Sequence, residues 1–193
     1  QAAEDVGEFA REPDRSRGAG KVHDTDRDPG HFIDVDDEGK VLGGPALDEL
    51  PPTREDYESA LRAVGTDTAK AGYLPYAIVD GFQQLAKDFA YWRAAVIGEQ
   101  REKDDVRRAW IIGDRIRRER LILRDLGVWA HYVGDGSQPL HVTVHFNGWG
   151  QGPNPDGYTT ERIHVPFEGP YVSASVTEDQ VRAAMSPSQA CKR

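Results

Sequence analysis

Apolar side chains recur with helical spacing through the middle of the chain. After Pro75 they step by four, three, four, three and four residues, at Ile78, Phe82, Leu85, Phe89, Trp92 and Val96. This period is typical of one face of an α-helix. A second pattern begins after Asp104 or Asp105, either of which can cap a helix, and its inner stripe comprises Val106, Ala109, Trp110, Gly113, Ile116, Leu123, Ala130 and Gly134. At 1.5 Å per residue this second helix would extend for about 45 Å.

Shorter elements flank these two helices. Residues 1–40 are polar and predict a short helix followed by a long loop. Thr53 is expected to cap a further short helix, with Asp56 three residues later in an approximate capping box. Thr177 and Gln180 have the spacing of a capping box for a last helix. No segment alternates as a strand would, so the pattern predicts an all-α protein.

Composition narrows the class of protein. The 193 residues predict a single domain. The 24 basic and 33 acidic side chains give a net charge of −9, which argues against non-specific binding of nucleic acid through a basic surface. No apolar run approaches the roughly 18 residues of a membrane span, and no signal peptide pattern opens the chain. Because Cys191 is the only cysteine, a metal site has to use His, Asp and Glu.

Three short patterns place such ligands together. His131 and Asp135 are four residues apart at the end of the long predicted helix, so both project from one face. The turn that follows brings His141 back towards them. His164 and Glu168 repeat the spacing of four, and the proline between them fits only a helix that is just beginning. Zinc binds such nitrogen and oxygen ligands and can keep a position for water. Each pair taken alone also fits an ordinary surface contact.

The longest motif resembles that of a known enzyme family. His131-Tyr-Val-Gly-Asp-Gly-Ser-Gln-Pro-Leu-His141 resembles the H-x-x-G-D-x-x-Q-P-L-H signature of the zinc-dependent phospholipase C and P-one/S-one nuclease superfamily. Upstream, His31-Phe-Ile-Asp34 is similar to a segment of that family, and His164-x-x-x-Glu168 is similar to its downstream pair. The order and spacing agree from about residue 9 to residue 175. The resemblance implies a multi-helix enzyme of one domain over residues 1–193, with two or three zinc ions in a cleft between helices.

The resemblance also implies roles for individual residues. Asp14 would bind the first ion and orient or deprotonate the attacking water, although Asp24, Asp26 and Asp28 compete for this role. Asp135 would bridge the first ion to a partner ion. The implied ligands are Asp14, His31, His131 and Asp135 for the first ion, and His141, His164 and Glu168 for another.

Three further side chains are candidates near this site. Asp34 is expected either to hold a ligand imidazole in place or to cap a loop. His145 and Trp149 lie in a loop rich in Gly and Pro, beside the ligands, where an aromatic ring can stack on a base or contact a lipid headgroup. The alternative for Trp149 is simple loop packing, and the alternative for His145 is an exposed loop histidine without a function. Trp110, like Trp92 and Trp129, is expected in the core.

The N-terminus departs from the family pattern. Family members bind one ion through an N-terminal Trp and a nearby His, whereas this chain begins Gln1-Ala-Ala-Glu and has no histidine before His23. Either the N-terminal segment is missing from this chain, which we favour, or that ion has other ligands.

We therefore expect a zinc-dependent phosphodiester hydrolase that uses metal-activated water. A single-strand-specific endonuclease or 3'-nucleotidase is favoured, since the segments ending at Asp34 and His141 resemble the nuclease branch, whereas Glu168 resembles the phospholipase branch. The expected partner is single-stranded nucleic acid or a nucleotide. A phospholipid is possible, and neither stable membrane insertion nor a protein partner is predicted. The family implies secretion or a periplasmic location. Alternatives are a phospholipase C, an inactive metal-binding paralogue and, least favoured, a phosphohydrolase with a dyad at His23 and Asp24, because that pair is expected in a loop.

Overall fold

The computed structural model describes residues 1–150 and 152–187, and Cys191 lies outside them. Helices account for most of this part of the chain, and its β structure consists of isolated bridges such as that between Ile33 and Gly72. The predicted all-α class is therefore confirmed. The chain divides into two compact units, Gln1–Val144 and His145–Arg193, which we describe separately. No helix in the described ranges is long and apolar enough to cross a membrane.

Unit 1 begins with a series of short helices. Helix α1 spans Ala2–Phe9, α2 spans Glu12–Arg15, α3 spans Lys21–Arg27, and a 3-10 turn spans Asp28–His31. The expected long loop is therefore wrong. Proline in the first positions of α2 and of the 3-10 turn fits the missing N–H there, and acidic side chains in each first turn stabilise it.

The next helices lie around the core. Helix α4 (Arg54–Ala63) begins as predicted, because the Thr53 hydroxyl accepts a hydrogen bond of 3.1 Å from the Asp56 backbone N–H. The Thr53 hydroxyl in turn donates to the Asp56 carboxylate. Helix α5 spans Thr68–Ala71. The buried core comprises Ile33, Val41, Tyr57, Leu61, Ala71, Tyr73 and Leu74.

Two long helices form an antiparallel hairpin, as the periodicity predicts. Helix α6 spans Leu74–Arg101, and α7 spans Asp105–Ser137, about 50 Å at 1.5 Å per residue. Asp104 caps α7 by accepting from the Arg107 N–H at 2.8 Å. Hydrogen bonds from Trp92 to Glu119 and from Trp129 to the Ile78 carbonyl, both 3.0 Å, connect the two helices.

The predicted inner stripe of α7 is wrong in most of its positions. Val106 is 81% exposed and Trp110 is 66% exposed, whereas Ile122 and Gly127 are buried. Trp92 and Trp129 are half-buried. The core lies at the end of the hairpin that is next to α4 and α5. Within unit 1 the other end of α7 packs against α6 alone, so the apolar side chains on the remaining faces of α7 are exposed there.

Unit 2 is irregular over residues 145–150 and 152–163 and then helical. Helix α8 spans His164–Pro166, a π-helical turn spans Phe167–Tyr171, α9 spans Val172–Ser175, and α10 spans Glu178–Ala184. The capping box predicted for the last helix is present, with reciprocal hydrogen bonds between Thr177 and Gln180.

Candidate metal centre

Unit 1 brings together five of the predicted site residues. Asp14 comes from α2, His31 from the 3-10 turn after α3, and His131 and Asp135 from the last two turns of α7. His141 follows on the 3-10 turn Pro139–His141 that ends this helix. The spacing of four on α7 puts its two side chains on one face, as predicted.

Three ligand atoms of this cluster form a compact triangle. The Nδ1 atom of His31 lies 3.0 Å from Nε2 of His131 and 3.1 Å from Oδ2 of Asp135. The third side, from His131 Nε2 to Asp135 Oδ2, measures 3.3 Å. Ligand atoms that surround a tetrahedral zinc ion at about 2.0–2.1 Å lie roughly 3.3 Å apart. The donor types and the size of the triangle therefore fit a metal ion such as zinc, and without an ion the same atoms are at hydrogen-bond distance.

Backbone carbonyls fix the orientation of two imidazoles. Nδ1 of His131 donates to the Ala10 carbonyl over 2.8 Å, so its Nε2 is the nitrogen directed at the triangle. Nδ1 of His141 donates to the His31 carbonyl over 2.6 Å. Histidine metal ligands are commonly held by such a hydrogen bond from the other ring nitrogen.

The electrostatics of the cluster favour an ionised carboxylate. Burial alone would raise the pKa of Asp135, but hydrogen bonds from His131 and His31 outweigh it and lower the pKa to about 2. Burial would likewise lower the pKa of His131, but the hydrogen bond and charge of Asp135 and the charge of Asp14 raise it. A carboxylate that stays ionised at neutral pH is the form that binds a cation.

Asp14 lies at the solvent side of the cluster. A carboxylate oxygen of Asp14 and one ring nitrogen each of His31 and His131 lie within 4.8 Å of one another. The Asp14 side chain is 58% exposed and pairs with Arg17 at 3.5 Å. No group of three potential ligands in residues 1–150 and 152–187 includes the competing acids Asp24, Asp26 and Asp28.

The second predicted ligand pair lies in unit 2. Nε2 of His164 is 3.1 Å from Oε1 of Glu168, and Nδ1 faces the Phe146 carbonyl at 3.2 Å. The Asn147 side chain accepts from the His164 N–H at 3.3 Å, at the start of α8. His141 belongs to unit 1, so an ion shared by His141, His164 and Glu168 stays a prediction.

Asp34 lies next to the core rather than in the triangle. The Asp34 N–H donates to the Ala71 carbonyl at 2.9 Å, and burial raises the pKa of its carboxyl to about 6. Among the described residues its carboxylate makes no hydrogen bond to a site histidine. Its predicted role in holding a ligand imidazole stays a prediction.

The two predicted substrate contacts are stacked on each other. The rings of His145 and Trp149 lie 3.8 Å apart and 9° from parallel, and Tyr158 stacks on the indole at 5.1 Å. The indole N–H donates to the Pro153 carbonyl at 2.9 Å. This loop packing holds the rings in place, and contact with substrate stays a prediction.

The alternative dyad lies on a helix. His23 and Asp24 belong to α3, and their side chains approach to 3.3 Å on the surface. The expected loop is wrong here, because the acidic side chain stabilises the first turn of α3. No third His or acidic ligand within the described ranges joins this pair.

Sequence reasoning missed two parts of the centre. The Tyr132 ring contacts the rings of His31 and His131, with centroids 5.3 and 5.6 Å apart. Its position beside His131 in the motif was an available signal. The Ala10 carbonyl that orients His131 gives no signal in the sequence, because every residue has a backbone carbonyl.

Comparison with known proteins gave no match: no protein-family model, no curated protein and no solved structure matches this chain.

Proposed function

We propose that this chain is a zinc-dependent phosphodiester hydrolase whose preferred substrates are single-stranded nucleic acids or nucleotides. The observation that carries the proposal is the triangle of His31, His131 and Asp135, whose sides measure 3.0, 3.1 and 3.3 Å. The eleven-residue resemblance from His131 to His141 independently points to two of these residues, His131 and Asp135.

In this proposal the side chains of unit 1 hold the ion and keep its ligands in place. His31, His131, Asp135 and Asp14 would hold an ion. When bound, zinc supplies Lewis-acid polarisation of the phosphate and of the attacking water. The hydrogen bonds from His131 to Ala10 and from His141 to the His31 carbonyl keep both rings from rotating.

Asp14 is the candidate for proton transfer. Its carboxylate is the most exposed of the cluster, so a water molecule can reach its oxygen atoms from solvent. Asp135 is less suitable, because the pKa of about 2 makes its carboxylate a weak base and its oxygens face two imidazoles.

Nucleic acid is favoured over lipid by the aromatic rings of unit 2. Trp149, His145 and Tyr158 form a stack that is fixed by its own hydrogen bonds, and Tyr158 is 55% exposed. Bases stack on such rings with little sequence preference. Glu168, the feature that resembles the phospholipase branch, keeps phospholipase C as the second candidate.

A substrate panel tests the proposal. Zinc-loaded protein is incubated with a single-stranded DNA oligonucleotide, its duplex, a 3'-nucleotide and phosphatidylcholine vesicles. We expect cleavage of the single strand or nucleotide, abolished by Asp135→Asn. Asp48→Asn, the same change at an exposed surface acid, serves as the matched control. Cleavage of phosphatidylcholine alone would support the phospholipase, and zinc binding without any hydrolysis would support the inactive paralogue.

A further inference from the structure

A second concave site lies in unit 1. Its volume is about 560 Å³, within the range typical of small-molecule pockets. Residues of α3, α4, α6 and α7 line it, and none of the candidate metal ligands does. The phosphodiester hydrolysis proposed above does not use this cavity.

Four aromatic side chains line the cavity, and internal hydrogen bonds fix three of them. The Tyr76 hydroxyl donates to the Pro51 carbonyl at 2.7 Å, and the Trp129 indole N–H donates to the Ile78 carbonyl at 3.0 Å. Tyr73 donates to a backbone carbonyl as well, and Tyr132 completes the set. Because the polar atoms of Tyr73, Tyr76 and Trp129 are bonded within the protein, these three rings offer apolar surface that is already ordered.

Gly81 allows the indole to lie against α6. A Cβ atom at this position would come within 2.8 Å of Cδ1 of Trp129, closer than side chains tolerate. The wall formed by Trp129 therefore depends on a glycine in the interior of α6, where glycine is otherwise less favourable than alanine.

The charges around the cavity are of both signs. Arg54 stacks on Tyr73 at 3.6 Å and pairs with Glu58 at 3.1 Å, while Arg124 pairs with Asp125 at 2.7 Å. Each pairing engages part of the guanidinium fork and leaves further N–H donors. Arg27, the third arginine of the lining, pairs with Asp26 at 3.4 Å. Since acids of the protein pair with all three arginines, the cavity does not have the charge of a simple phosphate site.

Two groups of α6 at the cavity have no partner among the described residues. The carboxylate of Asp80 and the amide of Gln83 line the cavity three residues apart at exposed positions of α6, and neither makes an ion pair or hydrogen bond in this part of the chain, so both are open to a ligand or to water. Asp80 can only accept hydrogen bonds when ionised, whereas Arg54 and Arg124 can only donate.

We propose that this cavity binds a planar, amino-substituted nitrogen heterocycle of the nucleobase class. Stacking on the aromatic wall would hold the ring. Its amino group would donate to Asp80, and its ring or carbonyl acceptors would receive hydrogen bonds from an arginine. Arginine and aspartate pair with acceptor and amino edges of bases in the same way in nucleic acid complexes.

Guanosine is the probe, because it carries both an amino group and an acceptor edge but no phosphate. Binding is measured by calorimetric titration of the purified chain, beside inosine, which lacks only the amino group, and inorganic phosphate. We expect saturable guanosine binding at one site per chain and about tenfold weaker inosine binding, the effect of one hydrogen bond to a charged group.

Variants locate the binding site. Asp80→Asn should weaken guanosine binding about tenfold and remove its preference over inosine. Gly81→Ala, which displaces Trp129, should weaken both nucleosides. Asp48→Asn is the matched control and should change neither. No guanosine binding at millimolar concentration, equal binding of inosine, an unaffected Asp80→Asn variant, or phosphate that displaces guanosine would each overturn the proposal. Loss of phosphodiester hydrolysis would not affect these measurements, since nucleosides are not substrates of that reaction.

Discussion

The Nδ1 atom of His31 lies 3.0 Å from the Nε2 atom of His131, although the two residues are 100 positions apart in the chain. In a neutral imidazole one ring nitrogen donates a hydrogen bond and the other accepts one. The two facing nitrogens of His31 and His131 can therefore share only one proton. A cation bound there would instead use the lone pairs of both rings and of the Asp135 carboxylate together.

Without metal, the cluster should lower the free energy of unfolding both when the pH falls and when it rises. The pKa of Asp135 is lowered from its ordinary value near 3.8 to about 2. Its contribution to the free energy of unfolding is therefore present above pH 3.8 and is lost as the pH falls towards 2. The pKa of His131 is raised, so its contribution is present below its ordinary pKa near 6.5 and is lost as pH rises through the raised value. The Asp135 contribution is about 2 kcal/mol. Urea unfolding of metal-free protein from pH 2 to 8 checks this, and an Asp135→Asn variant with an unchanged pH profile would contradict it.

Ionisation of Asp34 should destabilise the folded protein, whereas ionisation of Asp135 stabilises it. Burial raises its pKa to about 6, so its contribution is present below pH 3.8 and is lost as pH rises through 6. Asp34→Asn should therefore increase the free energy of unfolding at pH 7, by on the order of 2 kcal/mol. Comparing the variant with the wild type at pH 4 and pH 7 tests this. Equal effects at the two pH values would show that the carboxyl is not buried in this way.

Gly72 should be required for the core beside the metal centre. Its φ of 73° favours glycine, and a Cβ atom there would lie 2.0 Å from the Phe32 carbonyl oxygen. Gly72→Ala should destabilise the protein by more than about 2 kcal/mol. Gly39 is the matched control, because its φ is 76° but nothing lies within 4 Å of its Cβ position. Gly39→Ala should cost about 1 kcal/mol, and thermal unfolding with equal losses would exclude the predicted clash.

Replacing Asp14 should separate catalysis from folding. Asp14 is exposed on α2, so Asp14→Asn should leave the unfolding temperature nearly unchanged. Activity should fall by about a hundredfold or more if this carboxylate accepts the proton of the attacking water. Hydrolysis of the single-stranded oligonucleotide at fixed zinc concentration measures this. Unchanged turnover would remove Asp14 from the mechanism and return the role to another group.

The sequence predicted the parts of this molecule that depend on near neighbours. Asp104 caps α7, and His131 and Asp135 share one face, because hydrogen bonds and side-chain directions within a helix repeat over three or four residues. Trp110 shows the limit of that reasoning. Helical periodicity identifies an apolar face, but only the tertiary arrangement decides whether another element covers it, and the far end of the hairpin in unit 1 lies beyond the core.

The candidate site was predictable for a different reason. His31 is brought to α7 by contacts distant in sequence, and only its resemblance to a family segment marked it in advance. The same limit explains the wrong loop between α1 and α4, where short helices are stabilised by first-turn prolines and acids. The Ala10 carbonyl that orients His131 carries no side-chain signal at all.

The metal content of the purified chain tests the central claim most directly. Elemental mass spectrometry of protein prepared without added zinc should find at least one tightly bound zinc ion per chain, lost in Asp135→Asn and kept in Asp48→Asn. Wild-type protein that contains no metal and takes up none on addition of zinc would contradict the account.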